Sequence, residues 1–203
     1  MEKKNHWENV FSTKTETEVS WYQQYPQASV NFIKNLQLPF DAKIIDVGGG
    51  DSYLIDALLA LGYTNLYLLD ISSKAIERIK KRLGANVSKV NFIVSDILDF
   101  VPPTSFDVWH DRASFHFLTE QQDIEKYKAI VSKALTTNGK LILGTFSDKG
   151  PKKCSGLDIT QYNEASITQL FESDFEKMEC SIEDHQTPFD TLQNFIFCSF
   201  NKI

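Results

Sequence analysis

The stretch Lys43-Ile44-Ile45-Asp46-Val47-Gly48-Gly49-Gly50-Asp51 leaves this chain few folds to adopt. Ile44, Ile45 and Val47 form the short apolar run of a buried strand, and three consecutive glycines end it. Leu54 to Leu61 follows, an apolar stretch of helical length that Gly62 stops. Strand, glycine turn and helix make the first half of a nucleotide-binding βαβ unit. Glycine suits such a turn because it accepts φ > 0 and, lacking Cβ, lets the backbone come close to a ligand. The returning strand is Asn65-Leu66-Tyr67-Leu68-Leu69-Asp70. Its carboxyl end carries an acid 20 positions after Gly50, a spacing that suits a carboxylate accepting from two ribose hydroxyls.

Two cofactor classes use this geometry, and the glycine pattern separates them. Dinucleotide sites call for G-x-G-x-x-G, so that a pyrophosphate rests on the helix N-terminus. Here Tyr53 stands where the third glycine belongs, and Asp51 brings a negative charge to the place of the phosphates. A nucleoside cofactor without phosphate fits better. S-adenosylmethionine is the one expected, because its ammonium and sulfonium are cationic and Asp46 lies beside the turn.

The chain has 203 residues, enough for one α/β domain with a sizeable core, and residues 1–203 are expected to form that single domain. Its net charge of −6 gives a nucleic-acid partner no electrostatic help, which argues against tRNA or DNA as substrate. The one basic cluster, Lys74, Arg78, Lys80, Lys81 and Arg82, reads as the wet side of a helix. No apolar window is long enough to span a membrane, and the N-terminus lacks the apolar core of a leader, so a cytoplasmic protein is expected. Cys154, Cys180 and Cys198 are few, odd in number and widely spaced; they read as reduced thiols with no metal spacing.

Taken in order, residues 5 to 12 place Trp7, Val10 and Phe11 at the spacing of a short amphipathic helix. Trp21, Tyr22 and Tyr25 either pack beside the sheet or, with the rest of residues 1–38, form a lid that excludes water from cofactor and substrate. Ala28 to Leu38 is a helix. Asp70 and the adjoining Ile71 close the second strand, Ser72 or Ser73 caps a helix, and Gly84 ends it. Asp96 and Ile97 follow a third strand, placed for an adenine edge and ring, although Asp96 equally suits a turn or cap. The fourth strand, Phe106 to His110, runs out into Asp111-Arg112-Ala113-Ser114-Phe115-His116. Ligands in open α/β sheets bind beyond the strands' carboxyl ends, so Asp111, Arg112 and His116 are the candidates for substrate contact. Their structural alternatives are an Asp111–Arg112 ion pair and a satisfied buried His110. A helix through Ile124, Tyr127, Val131 and Leu135 stops at Thr137-Asn138-Gly139 before a central strand, Lys140 to Phe146. A long loop through Cys154, a helix from Tyr162 to Phe171, and two further strands (Phe175 to Asp184, Thr191 to Phe200) complete the chain.

Seven strands ending in an antiparallel hairpin make a doubly wound α/β sheet, and with the glycine turn the chain resembles the class I S-adenosylmethionine-dependent methyltransferases throughout. It is also similar to a subgroup of small bacterial methyltransferases in His6-Trp7-Glu8-Asn9-Val10-Phe11, Val19-Ser20-Trp21-Tyr22-Gln23, Asp46-Val47-Gly48-Gly49-Gly50, Trp109-His110-Asp111-Arg112-Ala113, Lys153-Cys154-Ser155-Gly156-Leu157 and His185-Gln186-Thr187-Pro188. Ser52 replaces the last glycine of the general family pattern. The resemblance implies that Asp46, Gly48 and Gly50, with Gly49 in the same turn, hold the methionine moiety. It implies Asp70 and Ile71 at the ribose, Asp96 and Ile97 at the adenine, His110 or Asp111 flanking the sulfonium, and Trp21 over the cofactor. Methyl transfer is an in-line displacement in which position and desolvation matter most. If the acceptor arrives protonated, His116 and His185 are the titratable candidates for a base. A small-molecule acceptor is expected. The alternatives are a protein lysine methyltransferase of the same fold and a non-catalytic nucleoside-binding protein, and monomer and homodimer both stay open.

Overall fold

The computed structural model describes residues 2–203. In chain order the elements are α1 (Glu2–Thr13), α2 (Gln27–Asn35), β1 (Lys43–Val47), α3 (Leu54–Ala60), β2 (Asn65–Asp70), α4 (Ser73–Leu83), β3 (Val90–Val94), β4 (Phe106–Arg112), α5 (Gln121–Ala134) and β5 (Leu135–Phe146). Then come β6 (Lys153–Cys154), β7 (Leu157–Asp158), α6 (Glu164–Phe171), β8 (Phe175–Gln186) and β9 (Leu192–Lys202). The main sheet has the order β3-β2-β1-β4-β5-β9-β8, parallel as far as β5 and antiparallel beyond it. This is the expected seven-stranded α/β sheet with its C-terminal hairpin. The chain lays strands outward from β1 to β3 and then returns to place β4 on the other side of β1, so a crevice opens at the carboxyl ends of β1 and β4.

Period-two alternation feeds a separate core on each face of the sheet. Ile45, Tyr67, Trp109, Leu141 and Leu143 pack with Tyr127 and Val131 of α5 and Phe171 of α6. Ile44, Leu66, Leu68, Val108 and Ile142 pack with Ile33 of α2, Leu58 of α3 and Ile79 of α4. The two faces leave the strands no polar side, which is why they read as continuous apolar runs. Ser72 caps α4 by accepting from the Ala75 amide, and Gly84 follows it at φ +53.

Four features differ from the sequence reading. Strand β5 begins at Leu135, which pairs with Phe106, so the supposed helix stop Thr137-Asn138-Gly139 lies within an irregular stretch of the strand. The end of α5 is instead closed by Lys202, whose ammonium donates to the Ser132 and Leu135 carbonyls. The Cys154 loop folds into the β6–β7 ribbon, with Ser155 and Gly156 both at positive φ, the backbone of a two-residue hairpin turn. Cys180 and Cys198, 18 positions apart in sequence, face each other across β8 and β9 and form a disulfide, which corrects the expectation of three reduced thiols. The cysteines therefore no longer speak for a reducing compartment. No described helix is long and apolar enough to cross a membrane.

Candidate functional site

The crevice is a cavity floored by the glycine turn. Gly48 and Gly50 adopt φ +62 and +54, and a Cβ on Gly48 would lie 2.4 Å from that of Ser114. A Cβ on Gly49 would lie 2.4 Å from the Asp46 Oδ2. The turn is thus closed against any side chain and presents bare backbone to the cavity. Asp46 is buried; its Oδ1 accepts from His110 Nδ1 at 2.8 Å, while Oδ2 has no partner. His110 Nε2 accepts from the Ser29 hydroxyl at 2.9 Å, so the network assigns the Nδ1–H tautomer. His110 lines the cavity as a satisfied buried histidine that fixes the Asp46 carboxylate.

Asp70 stands at the end of the next strand. Its two oxygens accept from the Gly50 amide at 2.9 Å and the Ser72 amide at 2.7 Å. Burial raises its pKa to about 7, and neighbouring Asp51 and Asp46 add to that against the two amides. Asp96 does both things its sequence position allowed: Oδ1 accepts from the Leu98 amide at 3.0 Å, and the residue also lines the cavity beside Ile97. Ile71 and Trp21 line the same cavity. Asp51 is not a bare charge, because Arg78 pairs with it at 3.1 Å, and Arg82 binds Asp56 at 2.8 Å and the Asp51 and Ser52 carbonyls. The basic cluster of α4 is therefore partly a clamp on the loop after the turn, a correction to its reading as a solvated face. Tyr53 lies under the Arg82 guanidinium at 4.0 Å, filling the place of the missing glycine.

Strand β4 delivers His110, Asp111 and Arg112 to alternate faces. His110 and Arg112 line the cavity; Asp111 does not. Asp111 is buried on the other side, where it accepts from the Ser114 and Phe115 amides at 3.0 Å each and from the Tyr127 hydroxyl at 2.8 Å. Burial raises its pKa to about 6. It braces the turn that carries Ser114 under Gly48, and it neither lines the cavity nor pairs with Arg112. His116 also lies outside the cavity, packed against Phe117 and Phe146 with ring centroids 4.6 and 4.7 Å away. Neither ring nitrogen has a partner, and burial lowers its pKa to about 3. His185 donates from Nε2 to the Ser20 carbonyl at 2.7 Å and meets Gln23 Nε2 with Nδ1 at 3.3 Å, its pKa lowered by burial to about 4. Neither expected base lines the cavity.

The cover of the cavity is made by the N-terminal segment. Glu8 of α1 reaches the start of α4, accepting from the Ser73 amide at 2.7 Å, the Ser73 and Ser72 hydroxyls at 3.0 Å and the Lys74 amide at 3.2 Å. Partial burial works against its ionisation, yet these donors hold its pKa below the usual value. Trp7 packs edge-on against Phe117 and Trp21 at 5.2 and 5.8 Å, and Phe11 reaches to 3.0 Å from where a Gly50 Cβ would stand. Tyr25, grouped with this cover in the sequence, is instead half exposed. The Glu8 anchor spans 64 or more positions, and no signal in a single sequence marks it. Ser29 and Ser114 were missed likewise, since a lone serine carries no pattern. Among the described residues no cluster of His, Cys, Asp and Glu is arranged to hold a metal.

The sequence pattern of the family described as "Methyltransferase domain" matches residues 40–194. A curated relative, the "eEF1A lysine and N-terminal methyltransferase" of Mus musculus, is 26% identical over 146 residues, covering 68% of this chain but 20% of its own length. The chain therefore spans about a fifth of that relative. Among solved structures, the N-methyltransferase NodS from Bradyrhizobium japonicum in complex with S-adenosyl-L-homocysteine superposes with a TM-score of 0.73 at 17% identity, covering 96% of this chain and 97% of that one. The Burkholderia thailandensis 1,6-didemethyltoxoflavin-N1-methyltransferase, with bound 1,6-didemethyltoxoflavin and S-adenosylhomocysteine, gives 0.69 at 16% identity over 99% and 84% of the two chains. At these identities the likeness is one of fold.

Proposed function

The chain belongs to the methyltransferase-domain family, and from that premise we propose that it uses S-adenosylmethionine as methyl donor and transfers the methyl group to a small molecule. The residues at the turn fit the donor. Asp46 Oδ2, buried and without a partner, is placed to accept from an ammonium. The side-chain-free turn admits an amino-acid moiety, Asp70 has lone pairs left for two ribose hydroxyls, and Asp96 and Ile97 border the adenine position. When bound, the donor supplies a methyl group already activated by its sulfonium.

The observation that carries the acceptor reading is the cover. Trp7, Phe11 and Trp21 of this same chain pack on one another and form an aromatic wall of the cavity, which favours a small, partly apolar compound. The relative with bound 1,6-didemethyltoxoflavin methylates a compound of that size. The protein's part in the reaction is to orient and to exclude water: the cover dries the site, and His110 keeps the Asp46 carboxylate fixed. Neither His116 nor His185 lines the cavity, so neither is assigned a part in deprotonating the acceptor. A test is transfer from tritiated S-adenosylmethionine to a whole-cell extract, split into acid-soluble and acid-precipitated fractions. Label in the soluble fraction is expected; label confined to precipitated protein would overturn the reading.

A further inference from the structure

Resting on that reading of the cavity, we infer that Arg112 is a carboxylate-binding residue whose partner is supplied by a ligand. The chain has three arginines, Arg78, Arg82 and Arg112. The first two are in ion pairs at 3.1 and 2.8 Å, with Asp51 and Asp56. Arg112 makes no salt bridge among the described residues. Its Nη1 donates to the Trp21 carbonyl at 3.1 Å, its guanidinium sits 5.1 Å from the centre of the Phe195 ring, and Nη2 is buried without a partner.

No described side chain forms an ion pair with that charge, and the buried Asp46 carboxylate acts on it only through space. Asp46 gives its Oδ1 to His110 and keeps Oδ2 buried against Gly49, with no hydrogen bond to Arg112. The Cys154 thiol in the same wall is kept protonated by burial, with its pKa raised to about 11. His185 is neutral and occupied by Ser20. A guanidinium with an idle N–H, set between Trp21 and Phe195, is a planar fork that matches a carboxylate by two parallel hydrogen bonds, and burial strengthens the match. Two carboxylates can reach this part of the cavity, that of the donor's methionine moiety and that of the acceptor.

The test separates the two sources. Wild type, Arg112→Gln and Arg112→Lys are titrated calorimetrically with S-adenosylhomocysteine and with 5′-methylthioadenosine, which lacks the amino acid. If the donor's carboxylate is the partner, Arg112→Gln loses tenfold or more for S-adenosylhomocysteine and less than twofold for 5′-methylthioadenosine, with Arg112→Lys in between. If the acceptor's is, S-adenosylhomocysteine binding is unchanged. Benzoate, but not benzamide, then moves the Arg112 Nε–H resonance of the saturated wild type saturably. The inference is overturned if both nucleosides weaken in parallel, which would mark Arg112 as a cover anchor through Trp21. It also fails if neither the nucleosides nor benzoate respond. Failure of the methyl-donor reading shows separately, as no S-adenosylhomocysteine binding by wild type, and the benzoate arm then decides for the free protein.

Discussion

The two ends of the cavity are built by different means. The turn end comes from residues 46 to 97, one carboxylate at or just beyond each of three adjacent parallel strands, fixed by backbone amides and by a turn with no room for side chains. The cover end is assembled from residues 7 to 23, Arg112, Phe117, Cys154 and His185, pieces far apart in sequence that meet through aromatic edges and a few long-range hydrogen bonds. The first is held by parallel strand ladders and by buried hydrogen bonds, with no side chain in the turn to displace. The second is held by contacts that can be released one at a time. Binding energy should therefore concentrate at the turn, and control of access at the cover.

The largest effect is expected where the turn is filled. Gly49→Ala puts a methyl into the Asp46 carboxylate and should weaken S-adenosylhomocysteine roughly 100-fold, about 3 kcal/mol; calorimetry showing an unchanged affinity would sink the account of the turn. Next comes the anchor of the cover. Glu8→Ala removes a carboxylate that caps α4 from another helix, at a cost of about 1 kcal/mol of stability. Trypsin should then cut after Lys14 faster, and nucleoside affinity should fall about tenfold. Equal protection of wild type and variant would show that α1 is not held by this contact.

A smaller effect sharpens the turn end through pH. Asp70 has its folded pKa raised to about 7, so the folded protein holds a proton that the unfolded chain releases near pH 4. Its contribution to stability is therefore fully present at low pH and lost as pH rises toward 7. Ribose hydroxyls donate to the ionised form, so nucleoside affinity should move the opposite way, rising from pH 5.5 to 8 with proton release on binding near neutrality. Calorimetry in buffers of different ionisation enthalpy reads that release directly, and proton uptake would contradict it. The smallest change is expected from a residue the sequence made prominent. His116→Leu replaces a buried ring with two unpartnered nitrogens, and should leave nucleoside affinity within about twofold and stability unchanged or higher by about 1 kcal/mol. A tenfold affinity loss would return His116 to the site.

The legibility of the site follows the same division. Asp46 and the three glycines were readable because a strand and a tight turn fix their relations within a few residues and glycine suits that backbone, and Asp70 and Asp96 because each stands at or just beyond the carboxyl end of a successive parallel strand. The crowded run His110-Asp111-Arg112 was readable as a place but not as a set of roles. Each residue type suits substrate chemistry, and nothing in one sequence says which face of β4 is the cavity. The disulfide was invisible for a related reason, since Cys180 and Cys198 meet only through the register of an antiparallel pair.

The sequence by itself determined the α/β sheet, its terminal hairpin and the glycine turn that floors the cavity, because those depend on periodicity and on short-range backbone sterics. The tertiary structure decided that His110 and Arg112 face the cavity while Asp111 and His116 are buried behind it, and that Glu8 closes the cover. Those outcomes depend on which side of a strand each core occupies and on contacts between segments more than 60 positions apart, where local preference carries no information.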